Sequence, residues 1–289
     1  LQNLGLTAQW MGERQRANDY YQEALALAKA HQDHVAVAEC LLALARLAVD
    51  SGDYHHTVQY AKEAAALWRD QDNQHGVTWS LIYLGLATLR TGKPREAQQI
   101  MQDALRLARK MDFAFEVAQL TAHLGLTAYL LGDHNQALNF LLEALGSLPE
   151  GSGWQWSKSL LLADVGRVEV ALGRYDEAQD YFLQSLMIAL PYQWLTHMLS
   201  ALAGLAELNA MQGGHERALE LASLVIHHSA GEQHHKDRMK ELLSTLQSRL
   251  LAKEWSQAVA RGKALVLEEV VKEILRHDPL EPQRAGDNA

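Results

Sequence analysis

Six glycines recur along this chain at a nearly constant spacing: Gly12, Gly52, Gly92, Gly132, Gly173 and Gly213, at intervals of 40, 40, 40, 41 and 40 residues. A fixed period of this length means that the chain repeats one supersecondary unit. Other positions keep step with the glycine. Seven residues before it stands a tiny residue, in turn Gly5, Ala45, Gly85, Gly125, Gly166 and Ala206. Twelve residues after it come Ala24, Ala64, Ala104, Ala144, Ser185 and Val225, each followed by an apolar residue. Ala and Leu dominate, and alternating Val, Ile and Thr are almost absent, so the repeating unit is helical.

Each position has a physical reason. A tiny residue on the first helix lets the second approach, because helix axes come within about 8–10 Å only when the contact side chains are small. The glycine ends the first helix in a left-handed conformation that residues with a Cβ enter reluctantly. A single hairpin leaves one apolar face uncovered, so a core forms only when neighbours stack. The expected fold is therefore all-α: six helix-turn-helix repeats over residues 1–231, capping helices over 232–278, and a disordered tail over 279–289. Within the cap, the pattern reads as a helix pair that stops around Arg276-His277-Asp278-Pro279. The Gly/Ser-rich stretch from Gly146 to Lys158 adds only one residue to the period and reads as a loop between repeats. Trp154 and Trp156, at its end, read as packing residues in preference to a ligand platform.

Composition narrows the function. A net charge of −9 and a pI of about 5.9 argue against direct nucleic-acid binding, which requires a basic surface. No run approaches the ~18 apolar residues of a membrane span, and no signal peptide opens the chain, so the expected setting is cytoplasmic. The chain starts at Leu1 inside a repeat without an initiator Met and reads as a fragment of a longer protein. The one cysteine, Cys40, excludes an internal disulfide and lies in an apolar helical run, where it reads as a small core residue.

Catalytic signatures are missing. The sequence contains no G-x-x-x-x-G-K-[ST], G-x-S-x-G or H-E-x-x-H pattern and no paired C-x-x-C, and Gly92-Lys93 runs into Pro94. The chain is read as no enzyme and without a cofactor. Its 14 histidines include three adjacent pairs, His55-His56, His227-His228 and His234-His235. Adjacent helical residues diverge by about 100°, whereas helical metal pairs prefer spacings of three or four, so no metal site is assigned.

The periodic positions resemble the tetratricopeptide family. Its pattern of Leu-Gly in the first helix, Gly in the turn, then Ala, an aromatic and Ala-Leu is met by Leu84-Gly85, Gly92, Ala97, Ala104 and Leu105. Val165-Gly166, Gly173, Tyr175, Ala178 and Phe182 meet it again. The resemblance covers roughly residues 1–230 and implies a right-handed α-α superhelix. The family period is about 34 residues with a Pro closing the second helix. Here the period is 40 and that Pro is generally missing, so the helices should be several residues longer. Long-period arrays of this kind are similar to those of bacterial STAND ATPase and transcriptional regulators, of peptide-pheromone receptors and of kinesin light chains. The stretch with Ala258, Gly262, Leu265, Glu268 and Glu269 resembles a closing motif of the regulators, A-x-x-x-G-x-x-L-x-x-E-E-A, with Val270 in place of its last Ala.

The resemblance implies that the first helices line a concave face where ligands bind. Counting back from each turn glycine gives Glu39 and Arg46, then Trp79, Tyr83 and Arg90, then Gln119, His123 and Tyr129, then Asp164 and Arg167, and finally Glu207. Arg and aromatic side chains are typical anchors of a binding site. Arg46, Arg90 and Arg167 suit a carboxylate or phosphate, and Trp79, Tyr83 and Tyr129 suit an apolar or planar group. The expected partners are a peptide, protein or small effector in this groove and the other domains of a parent signalling protein, with no membrane partner and with a homo-oligomer as an option. The competing reading is a structural arm that oligomerises or autoinhibits without a ligand.

Overall fold

A computed structural model describes residues 1–148 and 151–277. Among these, fifteen α-helices and a short 3-10 turn (Ser152–Trp154) form, and no strand. The helices pair into hairpins: α1 (Gln2–Trp10) with α2 (Arg14–Ala30), α3 (His34–Ser51) with α4 (Tyr54–Asp70), and α5 (Gln74–Arg90) with α6 (Pro94–Lys110). The series continues with α7 (Ala114–Leu130) and α8 (His134–Gly146), α9 (Gln155–Ala171) and α10 (Tyr175–Ala189), and α11 (Leu195–Met211) and α12 (His215–His227). Most of these helices are 17 residues long, about 25 Å at 1.5 Å per residue, which accounts for the long period.

Both turns of the repeat are left-handed, but only one is marked by glycine. Gly12, Gly52, Gly92, Gly132, Gly173 and Gly213 take φ between 76° and 86° inside the hairpins. Between hairpins the same conformation falls to Gln32, Asp72, Asp112 and Gln193, at φ of 52–56°. A capping side chain often follows at once: Asp33 and Asn73 accept from the backbone N–H groups of Ala36 and Gly76.

The two helices of a hairpin meet through a matched pair of residues. Where the first helix carries glycine, a large side chain from the second fills the space. A Cβ on Gly5 would lie 2.5 Å from the Tyr21 ring, and one on Gly85 2.9 Å from Met101 Cγ. On Gly125 it would lie 2.9 Å from Leu141 Cγ, and on Gly166 2.8 Å from the Phe182 ring. The remaining two hairpins carry alanine at both positions, Ala45 with Ala61 and Ala206 with Ala222, all fully buried. The crossing is thus closed either by one large side chain against glycine or by two alanines.

The described residues fall into two compact units. Unit 1 comprises Leu1–Leu148 with Glu232–His234; unit 2 comprises residues 151–231 and 235–277. The break falls within the Gly/Ser-rich stretch. In unit 1 the core runs through the first four hairpins, from Tyr21, Leu41 and Trp68 to Met101, Leu120 and Leu124. In unit 2 it centres on Phe182, Met198, Leu199 and Leu202, and extends to Leu267, Val270 and Val271.

Three helices follow the last hairpin, one more than the pair read from the sequence: α13 (Gln233–Leu246), α14 (Ala252–Ala264) and α15 (Leu267–His277). The extra break arises at Leu265, whose extended backbone ends α14. The A-x-x-x-G stretch now has a packing reason. Ala258 is fully buried, and a Cβ on Gly262 would stand 2.4 Å from the backbone oxygen of Glu220 on α12. The paired Glu268 and Glu269 lie in the first turn of α15, and Arg276 and His277 in its last, both favourable to the helix dipole. Residues 279–289, read as a disordered tail, lie outside the described residues.

Candidate functional site

In unit 1 the first helices α3, α5 and α7 present a continuous row of polar and aromatic side chains. It begins with Arg46 and Asp50, one turn apart on α3. A terminal nitrogen of Arg46 donates to Gln9 Oε1 on α1 at 2.9 Å and lies 3.5 Å from the Tyr21 hydroxyl on α2. Gln9 Nε2 donates in turn to Asp50 Oδ2 at 2.9 Å, and the Tyr21 hydroxyl donates to Gln9 Oε1 at 3.2 Å. One amide therefore bridges a cation and an anion, accepting from the first and donating to the second. Burial raises the Asp50 carboxyl to about 6, against the opposing pull of Arg46, Gln9 and Arg14. Burial also pushes the Tyr83 phenol up to about 12, although Arg46 draws it down.

Tyr83 carries the row onto α5. Its ring lies 6.0 Å from that of Trp79, and the Trp79 ring lies 5.9 Å from Phe115 on α7. Glu116, also on α7 and 5% exposed, fixes the indole: Trp79 Nε1 donates to its Oε1 at 2.9 Å. His75 Nε2 reaches the same oxygen at 2.7 Å, and its ring stands perpendicular to Phe113 at 5.2 Å. A buried carboxylate holding an indole N–H leaves that ring little freedom to turn.

Further along the row, the His123 ring on α7 lies where burial, and then the charge of Arg90, lower its pKa to about 4. It is therefore neutral at physiological pH, and its buried Nδ1 has no hydrogen-bond partner. Gln119 and Tyr129 are partly buried, and the Tyr129 ring lies 5.3 Å from His134. Glu39 is exposed on α3.

Three candidates read from the sequence, Asp164, Arg167 and Glu207, belong to unit 2. Arg167 is nearly buried and pairs with Asp164 one turn away at 3.0 Å. Both oxygens of Glu207 accept from Arg238 on α13, at 3.0 and 2.6 Å, in the two-pronged geometry that suits a guanidinium. Glu207 thereby ties the last hairpin to the helices that follow it.

The residues that hold the row in place, Gln9, Tyr21, Asp50, His75 and Glu116, were not singled out from the sequence. Asp50 carried a usable signal, since it stands four residues after Arg46 on one helix. Gln9 and Tyr21 come from other helices, and their convergence on Arg46 follows only from the packing. The assembled row can accept a charged group beside Arg46, Arg90 or Glu39, and a flat or apolar group against Trp79 and Tyr83.

Two tetratricopeptide-repeat family models match the chain, over residues 1–31 and 161–191. No curated protein matches it in sequence. Among solved structures it is similar to a Rap protein complexed with competence and sporulation factor, at 16% identity and a TM-score of 0.71, over 94% of this chain and 74% of that one. It is also similar to the Rap conjugation gene regulator of the plasmid pLS20 in complex with the Phr* peptide, at 14% identity and a TM-score of 0.69, over 96% and 75%. The apo form of RapI gives 12% identity and a TM-score of 0.58, over 95% and 97%. At these identities the likeness is one of fold. Left-handed glycine turns in six successive hairpins and a glycine or alanine at each crossing complete the pattern: the chain is an all-α repeat protein of the tetratricopeptide type.

Proposed function

We propose that the first-helix row of unit 1 is the ligand surface of a non-catalytic binding protein, and that its ligand is a short peptide. The observation that carries this reading is the row itself. Charged groups at Arg46 and Arg90 and a fixed aromatic pair at Trp79 and Tyr83 occur on successive first helices, where stacking alone would be served by aliphatic residues. Two of the structures that share the fold hold a peptide or a named factor, which supports the same class of ligand. Concave groove residues Glu39, Gln119, His123 and Tyr129 belong to this proposal, and the unit 2 residues Asp164, Arg167 and Glu207 enter it as supports of their own helices.

The wider setting is part of the proposal. The closing motif around Ala258 and Gly262 supports a place in a bacterial signalling or transcription-regulating protein of the STAND class, acting in the cytoplasm as its sensor region. No helix among the described residues is long and apolar enough to cross a membrane.

The test is thermal melting of the chain against a library of short peptides. A peptide that binds the folded state raises the midpoint with dose, by about 2.7 kcal/mol of stability at a hundred times its Kd. Tyr83→Ala and Arg90→Ala should abolish that gain while leaving the unliganded fold intact. A gain that survives both substitutions would move the ligand off this row.

A further inference from the structure

A second aromatic corner lies in unit 2, where α9 and α11 begin. Trp156 stands in the first turn of α9, Trp194 caps α11, and Tyr192 lies in the turn before it. The Tyr192 and Trp194 rings stack at 4.5 Å, and Trp156 meets Trp194 edge-on at 5.2 Å. Beneath them lies His197, 1% exposed, with its ring 4.0 Å from Trp156 and 5.2 Å from Trp194. Neither of its ring nitrogens has a hydrogen-bond partner. The T-shaped contact with Trp156 offers at most a weak N–H···π interaction to one of them. A neutral imidazole has one donor and one acceptor, so at least one remains unmet.

The repeat register shows what is missing. His197 stands sixteen residues before its turn glycine, Gly213, as Glu116 stands sixteen before Gly132. In unit 1 the neighbouring first helix supplies Glu116 with two donors, Trp79 and His75. The same two register positions on α9 hold Leu160 and Trp156. Leu160 has no polar group to offer, and the Trp156 contact to His197 is ring to ring. The buried polar position is kept in unit 2 while its internal partner is lost. Meanwhile Trp156 and Tyr192 remain 39% and 50% exposed, an unusual exposure for such large rings beside a buried, unsatisfied imidazole.

We propose that this corner is a second binding site, which takes a planar ring with an N–H donor, the side-chain chemistry of tryptophan presented by a partner. The incoming ring displaces Trp156 from above His197, lies against Trp194, and donates to the unpaired imidazole nitrogen. It fills the role that Trp79 plays toward Glu116 in unit 1. Burial drives the His197 pKa down to about 3, so the imidazole is a neutral acceptor throughout the physiological range. The site is independent of the peptide row on unit 1.

Saturation-transfer NMR of the full chain with indole and with 1-methylindole tests this without any substitution. The two probes share shape and stacking, and only indole can donate. Indole should bind at least ten-fold more tightly, and Trp156→Ala, which removes the covering ring, should strengthen indole binding further. His197→Phe should erase the difference between the probes and leave the melting temperature unchanged or higher. Tyr83→Ala should alter neither result. Equal binding of the two probes, or no transfer to either in both the native chain and Trp156→Ala, would overturn the proposal. So would a fall of several degrees in the His197→Phe midpoint, because it would mean the imidazole nitrogens already have partners.

Discussion

Asp50 shows how a carboxylate held among packed polar groups weighs against the fold. Its carboxyl is lifted to about 6, with burial as the largest cause, while Arg46, Gln9 and Arg14 oppose the shift. In the unfolded chain an aspartate titrates near 3.9. The folded state therefore binds the proton more tightly than the unfolded state does. The stability this group contributes is greatest below about pH 4 and is lost as pH rises toward 6. Asp50→Asn keeps an oxygen to accept from Gln9 and removes the charge. Denaturant unfolding should find the variant more stable than the native chain at pH 7, by on the order of 1–3 kcal/mol, and nearly equal to it at pH 4. A variant less stable at pH 7 would mean that the attraction of Arg46 outweighs the burial. The residue scale is also where sequence reading fell short. Arg46, Trp79 and Tyr83 could be placed by counting back from a turn glycine. The partners that immobilise them could not, because Gln9 and Tyr21 reach Arg46, and Glu116 reaches Trp79, from other helices, and no spacing within one helix links them.

At the scale of the helix pair, most of the fold was legible, because the hairpin turn demands a residue free of Cβ strain and that demand is met by glycine six times. The turn between hairpins needs the same backbone but is filled by Gln32, Asp72, Asp112 and Gln193, residue types that also occur freely in helices and loops. The sequence therefore marks one end of each second helix and leaves the other unmarked. The crossing residues yield a sharper expectation. Gly125→Ala pushes a methyl group into Leu141 and should cost about 1–3 kcal/mol, and Leu141→Ala should cost about 2–5 kcal/mol through the cavity it leaves. Together they recreate the Ala45–Ala61 arrangement. The double variant should be less destabilised than the sum of the two, with a coupling of about 0.5–3 kcal/mol in a double-mutant cycle. Strict additivity would show that the two positions do not sense each other.

For the molecule as a whole, a repeat array gains stability from each hairpin and its nearest neighbours, so damage stays local. Leu141→Ala should speed amide hydrogen exchange in α7 and α8. Protection in α10, α11 and α12, built on the separate core around Phe182 and Met198, should stay within about three-fold of the native chain. Uniform loss of protection along the chain would mean that it unfolds as a single cooperative body. The matched crossings bear on how such a chain could be rebuilt. The crossings within hairpins are matched, and so are seams between them: a Cβ on Gly76 of α5 would stand 2.3 Å from Trp68 of α4, and one on Gly204 of α11 2.2 Å from Phe182 of α10. A hairpin can therefore be copied, deleted or exchanged only where the residues facing it across the seam are kept. A splice inside a hairpin meets the same demand. Joining α3 to α6 would set Ala45 against Met101, which is a collision, and joining α5 to α4 would set Gly85 against Ala61, which is a void. The glycine turns look interchangeable, yet a viable recombination point, within a hairpin or between two, is one that keeps each glycine opposite its own large side chain.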